Sequence, residues 1–97
     1  MRKLYRFFWD CYRQGSIEGL FIAEEGKVED IIGESVYFGE VLGKHSEIEG
    51  TVEARDITIK SDDEAFVAKL AEVLLGSADA TGTISGFNPL DYVDEEF

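Results

Sequence analysis

Leu4-Tyr5-Arg6-Phe7-Phe8-Trp9-Asp10-Cys11-Tyr12 alternates with a period of two. Tyr5, Phe7, Trp9 and Cys11 fall on one side and Leu4, Arg6, Phe8, Asp10 and Tyr12 on the other, which is the pattern of a β-strand. The first face is wholly apolar or aromatic and the second is mixed. That combination places the strand centrally in a sheet, with its mixed face partly covered or used in contact. Arg13-Gln14-Gly15-Ser16 reads as a tight turn, because Gly15 accepts positive φ without penalty, and residues 17–23 return as a second strand.

Working outward, residues 24–32 carry Val28, Ile31 and Ile32 at helical spacing, with Gly33 where a C-terminal cap sits and Gly26 as a weak point. Residues 35–42 and 46–53 read as two strands joined through Gly43-Lys44-His45, and residues 56–60 as a fifth. Ser61-Asp62-Asp63-Glu64 matches a capping box. The apolar stripe Phe66, Val67, Leu70, Val73 and Leu74 follows it, and Gly76 supplies the stop. Residues 77–86 are small and polar and read as a loop. Residues 87–93 hold enough apolar groups to dock on the body, and the acidic end of the chain reads as a free tail. The order ββαβββα predicts an α+β fold in one domain, 1–97: a single mainly antiparallel sheet of about five strands with two helices on one face.

Charge is the strongest compositional signal, with nine Lys and Arg against 21 Asp and Glu giving a net of −12. It is unevenly spread. Residues 1–16 hold four basic side chains against Asp10 alone, a net of +3, while residues 17–97 hold five basic and 20 acidic ones, a net of −15. Such a field repels free nucleic acid and anionic membranes and favours a basic partner surface. The hydrophobic content of 44% is sufficient for a folded core. Cys11 has no partner for an internal disulfide, which fits a reducing, cytoplasmic compartment. Arg6 and Asp10 interrupt the N-terminal apolar stretch before it resembles an export signal. The longest apolar run elsewhere, Leu20-Phe21-Ile22-Ala23, is far too short to span a bilayer.

The inventory for catalysis is thin. His45 and Cys11 stand alone in their types, His45 at a polar turn and Cys11 on an apolar strand face where an inert thiol is the ordinary case. No CxxC, HExxH, calcium-loop or phosphate-cradling glycine pattern occurs. The expectation is therefore a binding protein with no catalytic residue, cofactor or metal. Glu47, Glu49 and Glu53 occupy alternate positions of one predicted strand, about 6.8 Å apart at each step of two. A row of carboxylates at that repeat can stand in for phosphates in a groove lined with Lys and Arg, although a polar strand face made of glutamate is also an ordinary solvated surface. Glu24, Glu25, Glu29 and Asp30 add a second acidic surface and Asp94, Glu95 and Glu96 a third; Asp62 and Asp63 count among the acidic contact residues but are already explained by their place at the start of the predicted helix.

In length, acidity and the clusters Glu47/Glu49/Glu53 and Glu24/Glu25/Glu29/Asp30, the chain resembles small phage and mobile-element counter-defence proteins, above all anti-CRISPR proteins that mimic DNA. The basic segment at Arg2, Lys3, Arg6 and Arg13 departs from a uniformly acidic mimic. That departure fits a one-sided mimic or a head-to-tail self-association; the resemblance implies a stoichiometric inhibitor of a basic nucleic-acid-binding complex such as a CRISPR effector, with the oligomeric state open and a monomer favoured. Two further readings stand beside it. One is an interaction or assembly module using Tyr5, Phe7 and Trp9, or Leu4, Phe8 and Tyr12. The other is a small-molecule binder with Trp9, Tyr37, His45 and Asn88 around a pocket.

Overall fold

The computed structural model describes residues 1–43 and 47–93. Its elements in chain order are β1 (Arg2–Asp10), β2 (Ser16–Glu24), α1 (Glu25–Ile31), β3 (Ser35–Gly39), β4 (Ile48–Thr51), β5 (Ile57–Ser61), α2 (Glu64–Leu75) and β6 (Gly82–Gly86), with short 3-10 turns between some of them. The α+β class read from the sequence is the observed one. Its sheet, however, is divided: β5-β1-β2-β6 form a four-stranded antiparallel sheet, and β3 and β4 pair separately.

β1 and β2 stay in register from Arg2 opposite Glu24 to Asp10 opposite Ser16. The strand ends sooner than its alternation predicts. Asp10 Oδ1 accepts the Tyr12 N–H at 2.9 Å, and Tyr12 enters the left-handed region at φ 57, so Cys11 and Tyr12 leave the sheet for a 3-10 turn.

Alternation on this pair fills two cores. Tyr5, Phe7, Ile17 and Phe21 point to one face, where α1 brings Val28 and Ile31 and the β3–β4 pair brings Val36, Phe38 and Ile48. Leu4 and Ile22, paired in register, point to the other face and meet Val67 and Ala71 of α2. The helices thus lie on opposite faces of the sheet rather than on one, because both faces of the central strands are apolar. Each of the fully buried Phe7, Phe21, Ile17 and Ile22 side chains contributes about 1.5–3 kcal/mol of transfer free energy.

Residues 82–86, expected to be loop, form edge strand β6 against β2. Backbone proximity explains the pairing. A Cβ on Gly19 would stand 1.8 Å from the Phe87 carbonyl oxygen, so only glycine lets the chain after β6 cross there, where the Phe87 N–H donates to the Glu18 carbonyl at 3.0 Å. The segment after it docks as predicted: Phe87, Leu90 and Tyr92 pack on the first core, and Val93 bridges to Val36.

Helix α2 departs from expectation in two respects. Its N-cap is Asp63, whose Oδ1 accepts the Ala65 and Phe66 N–H groups, while Ser61 Oγ accepts the Asp63 N–H. The capping box led by Ser61 is not formed. Only Val67 and Ala71 of the helix are buried, whereas Phe66, Val73 and Leu74 are half or more exposed. At about 100° per residue, Phe66 and Val73 are turned well away from the Val67–Ala71 line that meets the sheet. No helix of the described residues is long and apolar enough to cross a membrane.

Candidate functional site

The end of β1 and the turn after it face β4 across an open groove of about 580 Å³. Phe8, Trp9, Asp10, Cys11 and Tyr12 line one wall and residues 47–51 the other, with Glu53, Arg55 and Asp56 closing one end.

Trp9 forms the floor and is fixed from three directions. Its Nε1–H donates to Asp56 Oδ2 at 2.8 Å. Its ring meets Phe38 edge-on, with centroids 5.5 Å apart. Its six-membered edge lies against Gly50, where a Cβ would be only 3.2 Å from the ring. Asp56 Oδ2 also accepts the Glu53 N–H at 2.8 Å, and the Glu53 side chain caps the same 3-10 turn, Ala54–Asp56. One carboxylate therefore ties the end of β1 to the segment leading into β5.

Five carboxylates, those of Asp10, Glu47, Glu49, Glu53 and Asp56, line the groove against the single guanidinium of Arg55. Arg55 pairs with Glu53 at 2.7 Å, and that hydrogen bond and charge raise the guanidinium pKa. Glu47 hydrogen-bonds the Tyr37 phenol and so pushes its pKa up, an effect reinforced by burial and by the charges of Glu47, Glu40 and Glu49. Tyr12 is 86% exposed at the rim. Cys11 is half-buried in the wall, and burial followed by the charge of Asp10 pushes its thiol up, away from nucleophilic use.

Of the residues singled out from sequence, Glu47, Glu49 and Glu53 are brought together here. Glu24, Glu25 and Asp62 gather at the opposite end of β1, about 26 Å away along nine residues of strand. There they are partly neutralised: Glu24 pairs with the N-terminal ammonium at 3.2 Å and Glu25 with Lys3 at 2.7 Å. The Lys3 hydrogen bond holds the Glu25 carboxyl below its usual range, and Asp62 adds to the field that raises Lys3. Glu29 and Asp30 are exposed on α1, and Asp63 is occupied as a helix cap. Asp94, Glu95, Glu96 and His45 lie outside the described residues.

The two alternative surfaces read from sequence are not assembled as expected. Leu4, Tyr5 and Phe7 are core residues, which leaves Phe8 and Tyr12 as the exposed aromatics of that strand and its turn. Trp9 lies against Gly50 on the inner face of the β3–β4 pair, whereas Tyr37 sits opposite Glu49 on the outer face. Asn88 is buried, its Oδ1 accepting the Leu90 N–H at 3.0 Å. These described members of the expected pocket do not converge. Asp10 and Asp56 are groove residues that the sequence reading missed, while Tyr12, read there as part of an interaction surface, stands at the groove rim. The only local signal for one of them is the spacing of Glu53 and Asp56, a reciprocal cap.

Among the described residues no three His, Cys, Asp or Glu side chains gather closely enough to hold a metal ion. Comparison with known proteins found no matching family model, no matching curated protein and no matching solved structure.

Proposed function

We propose that the protein acts by binding, as a stoichiometric inhibitor that covers the basic surface of a nucleic-acid-binding protein, with the acidic groove as its contact face. The observation that carries this reading is the concentration of five carboxylates around one paired arginine and an anchored tryptophan. Lys and Arg side chains entering such a groove gain charge-assisted hydrogen bonds from Glu47, Glu49 and Asp10. They also gain cation–π contact with exposed aromatic rings, worth about 0.5–2 kcal/mol each. The target class follows from the same charge: a surface built to hold phosphates is the commonest place where Lys and Arg are lined up without carboxylate partners. A CRISPR surveillance complex or nuclease is the specific target that the chain's size and acidity favour.

The test is competition. A nucleic-acid-binding partner is expected to lose duplex DNA as the protein is added to one equivalent, and the triple variant Glu47→Lys/Glu49→Lys/Glu53→Lys is expected to leave DNA binding unchanged. Full inhibition by the triple variant contradicts the groove assignment.

A second reading has one observation in its favour. The exposed Phe66, Val73 and Leu74 on α2 form an apolar shoulder suited to an assembly module whose contacts survive high salt. Sedimentation across a salt series separates the two: a salt-resistant homo-oligomer favours the shoulder, and a monomer favours the groove.

A further inference from the structure

Among the described residues β4 has one strand partner, β3, and its other edge borders the groove. Val52, just past β4, donates its N–H to the Glu34 carbonyl at 3.0 Å and accepts the Gly33 N–H at 2.7 Å, so its backbone groups face β3. In an antiparallel pair this direction alternates along the strand. Gly50 therefore also faces β3, while Glu49 and Thr51 face away. Tyr37 provides an independent check. It stands opposite Glu49 in register, and its N–H points outward to donate to the Tyr92 carbonyl at 3.0 Å, as required if Tyr37 and Glu49 form a pair that does not exchange backbone bonds. The N–H and C=O groups of Glu49 and Thr51 are thus turned to the groove side, and no bond from the described loops, turns or caps meets them.

We infer that the groove engages its partner by strand addition, in which an extended basic segment of the partner protein pairs with the free edge of β4 through Glu49 and Thr51. This rests on the reading of the groove as the contact face and specifies how it is used. An unpaired edge is a template for any extended chain, and the side chains around this one select the occupant. A residue added opposite Glu49 projects to the outer face beside Glu47 and Glu49, where an opposite charge stabilises a cross-strand pair. Its neighbours in the added strand project inward toward the Trp9 ring, where apolar groups fit. The segment recognised therefore alternates basic and apolar residues. A second copy of β4 is disfavoured, because it would set Glu47 and Glu49 against their own kind.

A short capped peptide alternating arginine and valine is the probe. Trp9 is the only tryptophan, so its fluorescence reports binding in the groove, and amide exchange reports pairing at the edge. Strand addition predicts that the peptide slows exchange at Glu49 and Thr51 by at least about tenfold. Of two peptides N-methylated at either the arginine or the valine amides, one should bind about tenfold more weakly and the other should bind like the parent, since only alternate amides face β4. Binding that leaves Glu49 and Thr51 exchanging at their free rates, or that suffers equally from both methylation patterns, overturns strand addition and leaves the acidic groove as a contact face. Failure of the unmodified peptide to bind at low salt overturns both.

Discussion

Trp9 and Asp56, 47 residues apart in the chain, are joined by a 2.8 Å hydrogen bond from the indole Nε1 to Oδ2. Because the same oxygen accepts the Glu53 N–H, Asp56→Ala removes two bonds to a charged acceptor and leaves a half-buried indole donor without its partner. The expected cost is about 2–3 kcal/mol, measured by urea unfolding followed through Trp9 emission. Asp56→Asn, which keeps an acceptor oxygen, is expected to cost less. A loss under about 0.5 kcal/mol for Asp56→Ala would show that the bond is incidental.

Gly50 and Gly26 make an opposed pair. A side chain at Gly50 meets the Trp9 ring at 3.2 Å, whereas nothing lies within 4 Å of a Cβ at Gly26 in α1. Gly50→Val is expected to destabilise by about 1–3 kcal/mol through overpacking and to shift Trp9 emission. Gly26→Ala is expected to stabilise by about 0.5–1 kcal/mol through helix propensity. Thermal unfolding of both variants checks the signs.

The cap of α2 is Asp63 rather than the Ser61-led capping box read from the sequence. With Asp63 as the acceptor for Ala65 and Phe66, Asp63→Ala is expected to cost about 1 kcal/mol, and Glu64→Gln close to nothing. A capping box led by Ser61 would make the Glu64 change the costly one.

Alkaline pH should weaken the fold in two stages. Burial raises the Cys11 thiol above its ordinary 9.0 and the Tyr5 phenol above its ordinary 10.0. In both cases the folded state prefers the neutral form, so stability is fully present below the ordinary value and is lost as pH rises toward the raised folded value. Melting temperature is expected to fall from about pH 9, and Cys11→Ser, which removes the first group, should delay the onset toward pH 10. At the acid end the sign reverses. Glu25 is held low by Lys3, so its contribution is present above its ordinary 4.5 and disappears as pH falls through its depressed value. An alkaline onset that Cys11→Ser does not move would contradict the assignment to the thiol.

The parts of this architecture legible in the sequence are those written as local period. The alternation of Tyr5, Phe7 and Trp9 against Leu4, Arg6 and Phe8 marks β1 and its apolar first face, though not that a helix covers the second, and the spacing of Val28 and Ile31 marks α1. What is not legible depends on contacts between distant segments. β6 contains only Ile84 as a large apolar residue, and its pairing relies on the close approach at Gly19 and Gly86, which has no signature within either strand. The width of the α2 stripe conceals which part of it is buried, because the answer lies in the Leu4–Ile22 pair beneath it. For the groove, Glu47, Glu49 and Glu53 stand out as a strand pattern. Asp10 and Asp56 join them only through the fold, and Glu24 and Glu25 are set apart by their ion pairs with the N-terminus and Lys3.

The acidic groove is proposed to cover a partner's nucleic-acid-binding surface. The most direct test is capture of bacterial lysate on the immobilised protein, elution along a salt gradient, and measurement of DNA binding by the eluted partner with and without one equivalent of the chain. The expected result is a partner released progressively as salt screens the contact, unable to hold DNA and the chain together, and not captured by the Glu47→Lys/Glu49→Lys/Glu53→Lys variant. A partner retained equally by that variant, or one that carries DNA and the chain at the same time, would contradict it.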